Sequence, residues 1–543
     1  MTGRWELRRP LPEVAARYRA EGLWSDDSLG QLLSRSMNEH PGQTFRAWSA
    51  VRPSTMTYAD LDRAARLFAA GLVRAGVQPG DVVSFQLPNW LEAPVCFLGA
   101  AIAGAVTVPI AHNYGAKEVA YILSNSGSRL HITADSFGRQ DYMAILDDVR
   151  PAVPSLERIV MVDDVLSTFI DGLAPLAAPV AVDPDDPVIL CYTSGTTADP
   201  KGAIHTSRSL VGEVLQRRLN PVDPLSVPGF SPSQANGWLV GSPIGHVTGL
   251  LQGTIMPIAK GWPVNLADRW DLDFVFDVIE NNDIAVGVGA TFFLMSVLDS
   301  PRFTPAMLDK VRYARLGGSP IPLAVAERCE ALGISLTRAY GSTEHPSVTG
   351  TAHNHTTRQR VYTDGPPLAG IEIELRDAAG HVVSAPGVEG EVFTRGPDLF
   401  AGYTDPSLNE VSFDANGWFA MGDLGVIDDE GCLTITGRTK DIIIRGGAKL
   451  SAVEIEEVLH RMASIEEAVV VAVPDARLGE KAAAFVRVRS GHEPPTMATM
   501  QSHCEAVGLT RQKWPEELHI VDDFDRTPSG KVKKFAMVER RLR

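Results

Sequence analysis

The chain has 543 residues, 44% hydrophobic and 21% charged, which excludes wholesale disorder and leaves room for about three to four domains at ~150 residues each. Its 50 basic and 66 acidic residues give −16 at pH 7; a surface built to neutralise nucleic-acid phosphates is excluded, though a local basic pocket is not. Five scattered cysteines (Cys96, Cys191, Cys329, Cys432, Cys504) form no C-x-x-C pair, which argues against a disulfide framework or zinc site and for a reducing cytoplasm.

The N-terminus, MTGRWELRRPLPEVAARY, is charged and has no apolar h-region, so no signal peptide is expected. VVSFQL (82–87) reads as a strand, LEAPVCFLGAAIAG (91–104) as a helix and AVTVPI (105–110) as a strand. The apolar run 93–110 therefore reads as a buried helix entering a buried strand rather than a membrane span, since glycines and prolines interrupt it. GAKEVAYILSNSG (115–127) reads as a Gly-closed helix and LHITAD (130–135) as a strand. Such alternation predicts an α/β sheet with mostly parallel strands. It resumes at PVILCYTSG (187–195) and near 238–246, 284–292 and 312–320. After 365 the texture becomes all-β: IEIELRD, GEVFTRG and LTITGR are short, alternating and split by Gly, Pro and Asp. After Arg438, DIIIRGG, SAVEIEEVLHRMA, EEAVVVAVPD and AAAFVRVR predict a compact tail of about 100 residues.

Four segments carry chemistry. YTSGTTADPKG offers hydroxyls from Thr193, Ser194, Thr196 and Thr197, bends at Gly195 and Gly202, and a cation at Lys201. Hydroxyls, free backbone N–H groups and a lysine suit a polyphosphate. No G-K-[ST] follows, so this is not a Walker A loop, and a mobile surface loop is the bland alternative. YGSTEH ends a strand, where ligands lie in open α/β sheets. There Tyr340 suits stacking on a base, Thr343 a phosphate and Glu344 a Mg²⁺ ion; an ordinary capped turn is the alternative. GWFAMGDLG places Asp423 in what reads as a Gly-flanked turn, suited to two ribose hydroxyls, with Arg438 fifteen residues on in GRTKDIIIRGG. A turn carboxylate and an exposed linker arginine are the alternatives. RTPSGKVKK shapes a turn presenting Lys531, a compact cation able to stabilise charge on a carboxylate and a phosphate.

These four blocks, in this order, resemble the adenylate-forming ligase superfamily over nearly the whole chain, with MTYADL (56–61), GVQPGDVV (76–83) and AGAVTVPI (103–110) in support. Within it, RYRAEGLWSDDSL, SPIGHVTGLLQG, GVGATFFLMSVL, LGGSPIP and YTDGPPLAGIEIELRD resemble bacterial short- and medium-chain acyl-CoA synthetases and cyclohexanecarboxylate–CoA ligases. The resemblance implies an α/β fold: a large N-terminal domain of stacked αβ subdomains with a small β-barrel-like unit (1–437), a hinge (438–440, pivoting at Lys440), and a small mobile α+β C-terminal domain (441–543).

It further implies ATP, Mg²⁺ and CoA as cosubstrates and a small carboxylic acid as partner, without nucleic acid or a transmembrane segment; a homodimer is compatible. Thr193 to Thr197 with Lys201 would hold the β- and γ-phosphates, with Thr196 among the catalytic groups; Glu344 would hold Mg²⁺. Gly318, Ser319, Tyr340 and Gly341 would frame the adenine, Thr343 a phosphate, and Asp423 and Arg438 the ribose. Lys531 would close over the reacting carboxylate, then rotate away and bring Gly446 and Gly447 to the pantetheine. One departure is Lys449-Leu450, where many relatives carry Asn-Ile, which puts the CoA contact in doubt.

No acid occurs in Pro243–Gly249, where amino-acid-activating relatives keep one, so an acid without an α-amino group is expected. His246, Val247, Gly249, Leu250, Ala290, Phe292 and Phe293 are the expected acyl lining, with Gly245 and Gly249 leaving room. Short to medium aliphatic or alicyclic acids are the first expectation. The alternatives are an aryl or steroid-side-chain acid, or transfer to a carrier-protein thiol.

Overall fold

The computed structural model describes residues 4–193, 200–219, 236–527 and 530–542. Its central sheet has six strands in the order Lys201–Thr206, Pro187–Thr193, Val106–Ile110, Val82–Gln86, Leu130–Thr133, Arg158–Met161. All neighbours are parallel except Lys201–Thr206, which folds back antiparallel on Pro187–Thr193. Every residue of Val82–Gln86 and Val106–Ile110 is buried, as expected of parallel strands covered on both faces. The expected helix-to-strand passage is there: Glu92–Ile102 is buried on all sides and leads into Val106–Ile110. Among the described residues no helix is long and apolar enough to cross a membrane.

A second sheet pairs Leu239–Val240, Val264–Ala267, Thr44–Trp48 and Ser54–Thr57, and a third pairs Val288–Gly289, Tyr313–Gly317, Ser335–Tyr340 and Thr349–Gly350. A parallel bridge between Trp238 and Ala285 joins the two. Three of the segments singled out by chemistry begin at carboxyl ends of strands: Thr193 ends Pro187–Thr193, Gly318 follows Tyr313–Gly317, and Gly341–His345 follows Ser335–Tyr340.

The all-β unit is an antiparallel meander of Glu372–Arg376, Gly390–Arg395, Phe419–Ile427 and Leu433–Arg438 around Leu375, Val392, Phe400, Tyr403 and Phe419. Asp423 differs from the sequence reading here. It lies inside the nine-residue strand Phe419–Ile427, in register with Arg438, not in a turn. Alternate burial along that strand is strong enough to carry two glycines.

In the tail, Gly479–Val488 pairs antiparallel with Ile465–Asp475 and parallel with Glu517–Val521. Period-two alternation splits the edge strand Ile465–Asp475 between two cores. Ala468 and Val470 face Ile455, Leu459 and Met500, while Val469, Val471 and Val473 face Phe524 and Met537. Gly446 and Gly447, with φ of 56° and 87°, form the two-residue tip of the hairpin from Ile442–Arg445 to Ala448–Ser451. A type I′ turn needs positive φ at both positions, so the hairpin alone requires both glycines.

Candidate active site

The tail docks on the main body along three contacts. Both Glu457 oxygens accept from Leu323 N–H (3.1 and 3.0 Å), capping helix Leu323–Ala331, whose own N-cap residue Pro322 supplies no side-chain acceptor. Ser451 Oγ donates to the Thr436 carbonyl (2.9 Å). The turn before Lys531 rests on Ala290 and Phe292: a Cβ on Gly530 would stand 3.4 and 3.5 Å from theirs, and the Arg526 guanidinium lies 5.1 Å from the Phe292 ring.

That turn is built by Thr527, whose N–H donates to the Lys531 carbonyl (2.7 Å) and whose Oγ1 accepts from Lys531 N–H (3.1 Å). It delivers Lys531 into a cavity of about 180 Å³ that also touches Gly318, Gly341, Ser342 and Thr343. Lys531 is exposed by surface area and lines that cavity. Desolvation, then Arg438, lowers its pKa; Asp423 and Glu344 oppose that in part.

Asp423 is the hub of the adjoining cluster. Its Oδ2 accepts from the Tyr340 hydroxyl (2.7 Å) and its Oδ1 from Arg438 Nε (2.9 Å). Asp423 is buried, and burial plus its charge pushes the Tyr340 phenol well above its usual range. Tyr340 is thus held by a hydrogen bond at its rim.

Glu344 is fixed separately. The Tyr403 hydroxyl donates to its Oε1 (2.7 Å), its carbonyl accepts from Phe400 N–H (2.8 Å), and its N–H donates to Ser342 Oγ (3.2 Å). Lys201 Nζ lies 5.5 Å from the centre of the same Tyr403 ring, so the lysine of the Thr/Ser-rich loop and Glu344 share one support. His205, two strand positions beyond Ala203, donates from Nε2 to the Thr343 carbonyl (2.8 Å) and ties that strand to the 341–345 loop. Ser194, Gly195, Thr196 and Thr197 lie outside the described residues. Thr193 ends its strand opposite Lys201. Ser319 Oγ accepts from Thr291 N–H (3.1 Å). Lys440 is in the short 3-10 turn Thr439–Asp441, its pKa lowered by burial and by Arg438.

His246 occupies the N-cap of Val247–Leu250 and is half-buried, its Nε2 buried without a partner among the described residues. Burial first, then the charges of Lys531 and His112, depress its pKa to about 4, so it is a neutral imidazole beside the lysine. The lining of this cavity shares only part of the expected acyl set. Val247 lines the cavity, with Thr248, Leu251, Gln252 and Met256. Leu250 packs into the main core instead. Phe293 packs edge-on against Trp270 (4.8 Å), and Ala290 and Phe292 meet the tail. Gly245 and Gly249 are not room for substrate either. A Cβ there would stand 2.6 Å from Ala111 Cα and 2.0 Å from the Pro243 carbonyl, so both serve close backbone packing.

Several residues of the site escaped the motifs. The wall is widened by a π-turn at Leu251–Ile255, followed by Pro257, which has no N–H to close a regular helical bond. Glu213 and Arg217, one helical turn apart and ion-paired at 3.2 Å, line the cavity opposite a sheet that contributes Trp238, Val240, Val288 and Arg315. The Ser347 hydroxyl donates to Glu213 Oε1 (2.7 Å), and Ser347 N–H donates to Asp398, which pairs with His345 (3.2 Å). The only local hint of this was the Glu–Arg spacing of four.

Comparison with known proteins now fixes the class. The AMP-binding enzyme family matches residues 33–404, and the AMP-binding enzyme C-terminal domain matches 454–531. The chain belongs to this adenylate-forming family. It is 31% identical to the medium-chain fatty-acid–CoA ligase of Escherichia coli K12, over 96% of this chain and 92% of that one. Among solved structures, ATP-bound MatB from Rhodopseudomonas palustris superposes with a TM-score of 0.81 at 27% identity, covering 94% of this chain and 98% of the other. The o-succinylbenzoate CoA synthetase MenE of Bacillus subtilis, in complex with its acyl-adenylate intermediate, does so at 0.77 and 25%, covering 94% and 98%.

Proposed function

We propose that this enzyme is an AMP-forming acid–thiol ligase acting on a carboxylic acid without an α-amino group, of short to medium or alicyclic size. The observation that carries the reading is Lys531: a tail-domain cation set into the main-body cavity that also holds Gly318, Gly341 and Thr343. In the first half-reaction an oxygen of the carboxylate attacks the α-phosphorus of ATP, and the bond to pyrophosphate breaks. Such a step rests on positioning and charge neutralisation. Lys531 neutralises the carboxylate and α-phosphate, Asp423 and Arg438 take the ribose, Tyr340, Gly341, Gly318 and Ser319 frame the adenine, and Lys201 and Thr343 take phosphates with the 193–197 hydroxyls. Glu344 suits Mg²⁺, because Tyr403 orients it through Oε1 and its other oxygen has no protein partner among the described residues. A single carboxylate with phosphate oxygens and waters is a usual Mg²⁺ set, and the ion supplies charge neutralisation on the phosphates.

In the second half-reaction the CoA thiolate attacks the acyl carbon, the acyl–phosphate bond breaks and AMP leaves. We infer that the tail, from 441 onward, turns about 438–440 at Lys440, withdrawing Lys531 and presenting the Gly446–Gly447 hairpin to the pantetheine. The contacts of Glu457 and Ser451 mark the docked state of the first half-reaction. Five free, buried cysteines favour a cytoplasmic setting, and fatty-acid metabolism is the matching role. The test is AMP release with ATP, Mg²⁺ and a panel of carboxylic acids, with and without CoA. The reading expects CoA-dependent AMP; release that needs a phosphopantetheinyl carrier protein instead would redirect it to carrier loading.

A further inference from the structure

The protein carries −16, yet its cavity is lined by four cationic side chains, Lys531, Arg217, Lys260 and Arg315, and one acid, Glu213. Three of these cations are accounted for, Lys260 lying 4.8 Å from the centre of the Trp262 ring. Lys531 serves the reacting carboxylate, and Arg217 is paired with Glu213. Arg315 is different. Its Nη2 is buried without a hydrogen-bond partner, and no carboxylate among the described residues pairs with it. A guanidinium keeps its charge at any physiological pH and presents a fork matched to carboxylate.

Its position on the sheet says which part of a ligand it meets. Along Tyr313–Gly317 the core takes Ala314 and Leu316, while Tyr313, Arg315 and Gly317 face the cavity. Arg315 is in register with Thr337, three residues before Tyr340, so it stands roughly 10 Å back along the strands from the Tyr340–Asp423 cluster. Trp238 and Val288, the latter its register partner, line the cavity with it, together with the polar Glu213, Arg217 and Gln252. ATP phosphates, by contrast, belong beside Lys201 and Glu344, beyond the carboxyl end of the strand.

We propose that the acid this enzyme activates carries a second carboxylate, bound by Arg315 at the end of the cavity away from the adenylate. The product is then the mono-thioester of a dicarboxylic acid, its free carboxylate untouched by the reaction. This rests on the ligase reading above and narrows its substrate.

The test is kcat/KM for CoA-dependent AMP release by the full chain with adipate and suberate, against hexanoate, octanoate and methyl-ketone acids of equal length. The diacids are expected to lead by at least about tenfold, the low end for a charged group left unpaired. Arg315→Gln should cut the ratio of diacid to monoacid kcat/KM at least tenfold and Arg315→Lys less, with KM for ATP unmoved in both. Monoacids or keto acids equal to or better than diacids in the wild-type protein would overturn the proposal while leaving the ligase intact. So would an Arg315→Gln loss shared by all acids or expressed in KM for ATP. Silence with every acid would overturn the ligase reading and this inference with it.

Discussion

The cluster around Asp423 and the cavity around Arg315, the proposed adenylate and acyl ends of the site, are built on opposite principles. At the adenylate end the polar groups are already paired: Tyr340 and Arg438 with Asp423, Tyr403 with Glu344, His205 with the Thr343 carbonyl. At the proposed acyl end several are left open: Arg315 Nη2, Arg217 Nη1 and Gln252 Oε1 are buried without partners among the described residues. An unpaired buried polar group costs about 1–3 kcal/mol, so the open end is held at the expense of stability. On the proposed reading the paired end does the same chemistry on every acid and gains from being preorganised. On the same proposed reading the open end makes its hydrogen bonds only when the matching acid arrives, and a site of that kind rejects analogues that lack the group.

If this contrast is right, damage at the paired end strikes the half-reactions unequally. Lys531→Ala should slow adenylation by roughly 10²–10³-fold, the usual loss for an electrostatic group acting on the transition state, while thioester formation from supplied acyl-adenylate changes far less. Equal losses would show that Lys531 does not withdraw. Asp423→Ala strands the Tyr340 hydroxyl and Arg438 together, and should raise KM for ATP by about tenfold or more. An unchanged KM would make Asp423 a strand residue only.

A smaller effect is expected where the tail docks. Glu457→Ala removes the cap on Leu323–Ala331, worth about 1 kcal/mol, and should slow adenylation roughly fivefold with thioester formation spared. The smallest concerns Glu213. Burial, opposed by Arg217 and reinforced by Asp398, raises its pKa from 4.5 to about 7. The native state therefore holds this proton more tightly than the unfolded chain. Its stabilising contribution is complete below pH 4.5 and is lost as pH rises towards 7. The Tm of the wild-type protein should fall relative to Glu213→Gln between pH 5 and pH 7; parallel profiles would mean that Glu213 stays ionised throughout.

Legibility in the sequence followed the same division. The adenylate end is read by short contiguous strings, because loops at strand ends must supply hydroxyls, glycines and charges in one place; Tyr340, Glu344, Asp423, Arg438 and Lys531 were all named from such strings. The helix and strand hidden in the apolar run 93–110 were legible from length and breakers. The acyl wall was not, because its members come from separate elements and each obeys ordinary packing rules. Arg315 looks like the polar member of an alternating strand, and Glu213 and Arg217 like a surface ion pair on a helix. Gly245 and Gly249 misled for a related reason: a missing Cβ can admit a ligand or a neighbouring backbone, and composition does not tell them apart. Asp423 reads as a turn residue because two glycines flank it, whereas it pairs across the strands with Arg438 while Gly422, with φ of 71°, takes up a local irregularity.

The most direct test of the whole account is a single-turnover quench of the full chain with ATP, Mg²⁺ and an acid that it turns over, followed by a CoA chase. The account predicts that acyl-adenylate and pyrophosphate accumulate together before the chase, and that CoA then converts the adenylate to thioester and AMP in equal amounts. An adenylate that persists in the presence of CoA, or thioester formed with no adenylate before it, would contradict it.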